Sequence, residues 1–254
     1  MQIMTPHRQI FARILSNWVT RLPTDGLILE IGCGLGTWLE TSSRYRGGVI
    51  GLDIDKQACS IASAQIGHTC AGIVLYAGGI LPFKATSFQG IYAHEVIEHI
   101  NADKKFIAET YRVLKDGGSL LLTTPNGNRE PLDRRKHRAH VRHYRANQLS
   151  SYLREQGFEI EDLYWRMHPL CGMLDDALSR VGKRLLKTQA LQPGLTHWTS
   201  ESQSGLNRFL LTVFRFVAPL ISLVVTLEFE AFKKIWEARN MIFVARKGAR
   251  RTYD

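Results

Sequence analysis

The sequence predicts an α/β protein: a parallel sheet covered by helices, with a largely helical insertion before its last strand. Three observations carry that prediction. Short apolar runs alternate with amphipathic stretches between residues 27 and 124, three glycines fall within five positions after the first run, and the regularity stops beyond residue 166 until one strand-like run returns at 240–247. Alternating β and α segments build parallel sheets, because a parallel connection needs a long crossover and the crossover helix lands on a face of the sheet.

Residues 6–22 place Ile10, Phe11, Ile14, Leu15, Trp18, Val19 and Leu22 at three- and four-residue spacing, which predicts an amphipathic helix started by Pro6 after Thr5. Next, "LILEI" is a short buried strand running into the glycine loop, "GTWLETSSRY" a helix, "VIGLDI" a strand and "KQACSIASAQI" a helix. "GIVLYA" and "GIYAH" follow as strands, then "ADKKFIAETYRVL" as a helix stopped by Gly117 and Gly118, and "SLLLTT" as a strand stopped by Pro125. A helix "NQLSSYLREQG", capped by Asn147 and closed by Gly157, leads to the alternating strand "FEIEDLYW". From Arg166 to about Gly205 a short helix, "MLDDALSRVGKRLL", is mixed with loop-like sequence. Residues 209–227 are almost wholly apolar apart from Arg215 and Pro219, and "NMIFVARK" is a last strand that pairs at the sheet edge with "FEIEDLYW". The expected organisation is a core with its N-terminal helix over 1–165, an insertion facing substrate or membrane over 166–238, and a last strand with a basic tail over 239–254.

A chain of 254 residues with 44% hydrophobic content can bury a full core. Its four cysteines, Cys33, Cys59, Cys70 and Cys171, show no paired spacing, which fits a reducing compartment. The first residues lack an uninterrupted apolar run and a small-residue cleavage site, so the expected location is the cytoplasm. The net charge of +10 implies attraction to anions: nucleic acid, acidic lipid or phosphate-bearing substrates.

A strand, a glycine-rich turn and a helix form a site where amides and a helix N-terminus face a ligand, and missing Cβ atoms let it approach. Gly32, Gly34 and Gly36 read GxGxG, whereas the dinucleotide fingerprint GxGxxG would need glycine where Thr37 stands, so hydride chemistry loses weight. Asp53 ends the second strand at the distance where a carboxylate can accept both hydroxyls of a ribose; its bland reading is a turn or helix-cap aspartate.

With these motifs the chain resembles the class I S-adenosylmethionine-dependent methyltransferases, over roughly residues 27–165. "LILEIGCGLGTWLE", "VIGLDIDKQACSIA", "GGILPFKATSFQGIYAHEVIEHI" and "YRVLKDGGSLLLTTPN" match four family motifs in order, and the small-molecule branch, notably the ubiquinone-biosynthesis O-methyltransferases, is the most similar. The resemblance implies a Rossmann-like, doubly wound, seven-stranded sheet whose last strand is antiparallel. It implies S-adenosyl-L-methionine as cofactor, with Glu30 near the methionine amino group, Gly32, Gly34 and Gly36 against the cofactor, Asp53 on the ribose, and Ile54 beside the adenine. Gly79 stands where relatives carry an adenine-binding Asp, and Gln89 where they have the Asp of "SFD", which leaves the adenine to backbone groups and to Ile80, Leu81 and Phe83. His94 matches the position at the sulfonium end.

Glu98 and His99 match an acidic-histidine pair of the small-molecule branch; His99 or Glu98 is a candidate base for a substrate hydroxyl, and the alternative is that the pair braces the following helix. No metal is assigned, with Glu95, Glu98 and His99 as the alternative donor set. Residues 134–145, "RRKHRAHVRHYR", carry six basic residues and three histidines without an acid. Arg142, His143 and Tyr144 are expected to contact the acceptor, with His143 joining His99 as a catalytic candidate, while Arg134, Arg135, Lys136 and Arg138 draw in an anion; the bland reading is a solvated basic loop. Aromatic side chains are not interleaved as stacking platforms, which disfavours nucleic acid. The 209–227 stretch has the length of a membrane span, but a span would separate the last strand from its sheet, so an interfacial or core helical pair is expected. The predicted function is methyl transfer to a small or lipid-linked, anionic acceptor, most simply at oxygen, with peripheral contact to an anionic membrane. The rivals are a non-catalytic cofactor-binding module and an RNA methyltransferase.

Overall fold

The computed structural model describes residues 6–45, 48–66, 68–129, 140–174, 176–177 and 220–248. In chain order the elements are α1 (Pro6–Arg21), β1 (Leu27–Ile31), α2 (Thr37–Ser43), β2 (Val49–Asp53), α3 (Lys56–Ile66), β3 (Gly72–Leu75), β4 (Phe88–His94), a 3-10 turn (Ile97–His99), α4 (Asp103–Val113), β5 (Leu114–Pro125), α5 (Ala146–Glu155), β6 (Phe158–Arg166) and β7 (Asn240–Lys247). Residues 169–174 and 220–232 are also helical.

The strands form one seven-stranded sheet in the order β3-β2-β1-β4-β5-β7-β6. β1 to β5 pair in parallel and β7, lying between β5 and β6, runs antiparallel to β5, so the last strand is antiparallel as the family resemblance implies. Strand order reverses at β1 and β4, and their carboxyl ends therefore flank the crevice in which doubly wound sheets bind ligands. The central strands are buried on both faces: Ile28, Leu29, Ile91, Leu120, Leu121 and Leu122 are at most 1% exposed.

Two of the boundaries that differ from expectation have a clear local cause. α4 ends at Val113 because Leu114 already turns extended (φ −76°, ψ 138°), so β5 starts before the glycine pair and runs through it. α5 is preceded by Arg145 in extended conformation, and Asn147 lies inside the helix, its side-chain oxygen accepting from the Gln148 amide rather than capping the end.

The chain forms two compact units. One comprises residues 14–164 and 239–254 and holds the sheet. The other comprises residues 1–13 and 165–238, so the first turns of α1 belong with the insertion. Within that second unit Arg13 pairs with Glu230, Ser222 with Gln9, and the buried Arg166 lies over the Phe11 ring at 5.4 Å. His168 is buried there between Phe232 and Trp236, with ring centroids 6.1 and 6.3 Å away. Among the described residues no helix is long and apolar enough to cross a membrane, and most of the 209–227 stretch lies outside them.

Candidate active site

The glycine loop after β1 is shaped by its own amides. Gly32 and Cys33 donate to the Leu52 carbonyl at 2.7 and 3.1 Å, and Gly36 to the Cys33 carbonyl at 2.9 Å. Asp53, at the end of β2, accepts from the Gly34 amide through Oδ2 (2.7 Å) and from the Asp55 amide through Oδ1 (2.9 Å), so one carboxylate ties the loop to the neighbouring strand end. The glycines have different reasons to be there. Gly36 has φ +85°, and a Cβ on it would lie 2.5 Å from Ile66 Cδ1, so it lets α3 pack close. Gly34 has φ +51°, and a Cβ there meets nothing within 4 Å. It borders open space, as a ligand cradle requires.

Behind the loop, Glu30 is fully buried; its Oε2 accepts from the Tyr92 hydroxyl at 2.8 Å, and that hydroxyl lies 2.8 Å from Ser42 Oγ. Burial pushes the Glu30 carboxyl well above the usual range, against the Tyr92 hydrogen bond and with the Asp53 charge adding to the rise. Its Oε1 is buried without a hydrogen-bond partner among the described residues. Ile54, 72% exposed, follows Asp53; Ile80, 56% exposed, is held nearby because Tyr76 donates its amide to the Asp53 carbonyl (2.9 Å) and its hydroxyl to the Ile80 carbonyl. Gly79, beside Ile80, is exposed. The rest of this loop is pinned by α4: the Leu81 amide donates to Glu109 Oε2 at 2.8 Å, and Arg112 donates to the Leu81 and Phe83 carbonyls at 3.0 and 2.9 Å. Leu81 is consequently buried and Phe83 packs edge-on against Phe88, so of the three apolar residues expected at the adenine only Ile80 stays open. An unsatisfied carboxyl oxygen, an open αL glycine, a carboxylate at the strand end and two exposed isoleucines fit S-adenosylmethionine.

At the end of β4 the chain strains: Glu95 has φ +57°, a conformation L residues avoid and which clusters at functional sites. Its Oε1 accepts from Thr123 Oγ1 at 3.0 Å and its Oε2 from Asn240 Nδ2 at 3.0 Å, joining the ends of β4, β5 and β7. Thr123 Oγ1 also lies 2.6 Å from His94 Nδ1 and accepts from the Glu95 amide at 3.1 Å, while Trp38 of α2 meets the His94 ring edge-on at 5.4 Å.

Next along the chain, Glu98 is buried and its Oε2 accepts from Thr124 Oγ1 at 3.0 Å. Its carbonyl accepts from the Val141 amide at 2.8 Å, which draws residues 140–144 onto the 3-10 turn. His99 and His140 are thereby 4.9 Å apart by ring centroids, and His140 and His143 5.3 Å, so the two catalytic candidates share one imidazole cluster. Donor atoms of Glu98, His99 and His140 lie within 4.8 Å of one another, a carboxylate and imidazole set able to hold a divalent ion. The expected donor set had Glu95 in the place of His140, but the Glu95 oxygens are taken up by Thr123 and Asn240. Tyr144 and Arg142 turn away from the expected acceptor role. Tyr144 is fully buried and donates to Asp103 Oδ2 at 2.8 Å, and Arg142 pairs with the same carboxylate. Burial raises the Asp103 carboxyl, but the hydrogen bonds from Arg142 and Tyr144 outweigh it and hold the group below its usual value. Arg134, Arg135, Lys136 and Arg138 lie outside the described residues.

Thr123, Thr124, His140, Asn240 and Asp103 were not singled out by the sequence. The signal available was two hydroxyl residues in "TTP" at the carboxyl end of a buried strand, where the crevice lies.

A methyltransferase-domain family model matches residues 29–122, the span from β1 to β5. An O-methyltransferase of Aspergillus sclerotiorum is 31% identical over 178 residues, 63% of this chain and 67% of that one. The mitochondrial ubiquinone biosynthesis O-methyltransferase of Rattus norvegicus is 34% identical over 111 residues, 41% of this chain, and the chain spans only 32% of that enzyme's length. Among solved structures, a phosphoethanolamine N-methyltransferase of Haemonchus contortus in complex with S-adenosyl-L-methionine superposes with a TM-score of 0.64 at 17% identity over 94% of this chain and 53% of the other, a likeness of fold. Sheet order, glycine loop, matched family model and relatives agree, and the chain belongs to the class I S-adenosylmethionine-dependent methyltransferases.

Proposed function

We propose that the chain moves a methyl group from S-adenosylmethionine to an oxygen of a small or lipid-linked acceptor. The observation that carries this reading is the open Gly34 cradle bonded to Asp53, with the His94 imidazole at the end of the neighbouring β4 and that of His99 in the 3-10 turn after it. Gly32, Gly34, Gly36 and Asp53 would hold the methionine and ribose, Glu30 the methionine amino group, Ile54, Gly79 and Ile80 the adenine, and His94 the sulfonium end. The cofactor supplies a methyl group already activated by positive sulfur. The protein's own work is then to align the acceptor, exclude water and accept its proton. His99 and His143, with His140 between them, are assigned to the acceptor side. Oxygen as the accepting atom is favoured by relatives named O-methyltransferases.

A lipid-linked acceptor is supported by the insertion. Its helix at 220–232 leaves Leu220, Leu223 and Leu227 between 55 and 63% exposed, close in sequence to Lys233 and Lys234. An apolar face with flanking cations suits the inner face of an anionic membrane, approached from the cytoplasm. Flotation with phosphatidylglycerol vesicles at low salt tests this: wild type rises with the vesicles and Leu223→Asp/Leu227→Asp does not, whereas equal behaviour of the two removes the membrane. Function itself is tested by incubating the protein with methyl-labelled S-adenosylmethionine and a total small-molecule and lipid extract, followed by mass analysis of the labelled product. An O-methylated product supports the reading; a protein that binds S-adenosylhomocysteine yet never transfers is a binding module, and label in RNA points to nucleic acid.

A further inference from the structure

The hydrogen bonds around Thr123 fix more than packing. A hydroxyl offers one proton and two lone pairs, and a carboxylate only accepts. Thr123 Oγ1 lies 3.0 Å from Glu95 Oε1, so its one proton goes there. The Glu95 amide donates to the same oxygen at 3.1 Å. The third neighbour, His94 Nδ1 at 2.6 Å, must then be a donor, because Thr123 has no second proton to give. The Glu95 Oε1 charge 3.9 Å from Nδ1 favours the same arrangement. Asn240 Nδ2 on Glu95 Oε2 keeps the carboxylate turned toward Thr123, and the αL backbone at Glu95 brings that carboxylate back over its own strand end.

We infer that the chain Asn240, Glu95, Thr123 locks His94 in its Nδ1–H tautomer, making His94 Nε2 the proton-accepting atom of the methyl-transfer site. This rests on the proposed oxygen acceptor. The acceptor O–H bond breaks and its proton passes to His94 Nε2, which becomes imidazolium. The oxygen keeps the electron pair with which it takes up the methyl group, and sulfur keeps the pair of the broken S–CH3 bond, leaving S-adenosylhomocysteine. Thr123, Glu95 and Asn240 are positioning residues that hold the ring's tautomer and, as the imidazolium forms, face its Nδ1–H with a carboxylate-backed oxygen. Among the groups that face His94 are Glu95 on its own strand end, Thr123 on β5 and Trp38 on α2. His99 and His143 keep the acceptor side, and His94 takes the role of base that the sequence offered to His99.

The tautomer is read without knowing the acceptor. Long-range proton–nitrogen correlation spectra of the full chain with S-adenosylhomocysteine are expected to show His94 protonated at Nδ1 and unprotonated at Nε2. Thr123→Ser is expected to keep that pattern and Thr123→Val to lose it, with S-adenosylhomocysteine binding unchanged in both. A wild-type His94 carrying its proton on Nε2, or a Thr123→Val protein with the wild-type spectrum, overturns the inference. The base role is read by transfer to catechol as the phenolic probe. His94→Gln is expected to lower kcat by roughly 10²-fold while His99→Gln mainly raises KM, with the acidic limb of the kcat–pH profile lost only in His94→Gln. Full kcat in His94→Gln refutes the role. A Nδ1–H tautomer in a protein whose labelled product is methylated at carbon or nitrogen overturns the oxygen acceptor and leaves the tautomer standing.

Discussion

Replacing Gly34 by alanine separates folding from cofactor binding within a single residue. Gly34 has φ +51°, and in that conformation an L residue costs about 1–2 kcal/mol. Alanine also restricts the unfolded chain, which returns roughly 0.4–1 kcal/mol, so the net loss is near 1 kcal/mol. No packing cost adds to this, because the new Cβ meets nothing within 4 Å. For the 254-residue chain, a fall in Tm of roughly 2–4 °C follows. The same methyl group stands in the space assigned to the cofactor, and crowding of that kind costs about 1–3 kcal/mol, roughly 10- to 10²-fold in affinity. Gly36→Ala is the control: its φ of +85° carries the same backbone cost, and its Cβ lies 2.5 Å from Ile66 Cδ1 and 3.2 Å from Ala62 Cβ, adding about 1–3 kcal/mol of overpacking. Thermal melts with calorimetric titration of S-adenosylhomocysteine should show Gly34→Ala nearly as stable as wild type and roughly 10- to 10²-fold weaker in binding, and Gly36→Ala clearly less stable. A Gly34→Ala protein that binds as tightly as wild type would refute the assignment of this loop as the cradle.

Asp53→Ala should weaken S-adenosylhomocysteine more than Gly34→Ala does, since it removes the proposed ribose acceptor and frees the Gly34 amide that Oδ2 holds at 2.7 Å; titration checks this, and unchanged affinity contradicts it. Tyr144→Phe deletes a hydrogen bond from a fully buried hydroxyl to the Asp103 carboxylate, worth about 1.5–3 kcal/mol; the expected readout is a lower Tm with S-adenosylhomocysteine affinity unchanged, and lost affinity would bring Tyr144 back into the site. His168 has its pKa held below the usual 6.5 by burial, partly opposed by Glu228. The unfolded chain therefore takes up a proton first, and this histidine's contribution is full above 6.5 and is lost as pH falls below it. Tryptophan fluorescence, sensitive to Trp165 and Trp236 beside the insertion helix, should report loosening on acidification in wild type and a weaker response in His168→Phe; identical curves count against it.

Elements whose signal is local were readable from the sequence, and contacts between distant segments were not. α3 at Lys56–Ile66 and β7 at Asn240–Lys247 coincide with the runs the pattern marked, because helical spacing and a short apolar run are written in neighbouring residues. The glycine loop and Asp53 were legible for the same reason: their types and spacing state what the backbone must do. The lock on His94 was not, since it joins residues 94, 95, 123 and 240, and partners 145 positions apart leave no periodic trace. The basic segment was read by composition as one surface, but Asp103, on another helix, takes Arg142 and Tyr144 out of it. The start of β5 was expected at Ser119, after the glycine pair, because glycine is a familiar helix stop, whereas pairing of Leu114 with Phe88 draws the chain into the strand five residues earlier.

The most direct test of the whole account is methyl transfer from labelled S-adenosylmethionine into a total small-molecule and lipid extract, run with wild type, Gly34→Ala and His94→Gln and resolved by mass analysis. The account predicts one class of O-methylated product from wild type, its near absence with Gly34→Ala because the cofactor is not held, and slow formation with His94→Gln even at cofactor concentrations that saturate that variant. Wild-type protein that binds S-adenosylhomocysteine and transfers no label to any component would contradict it.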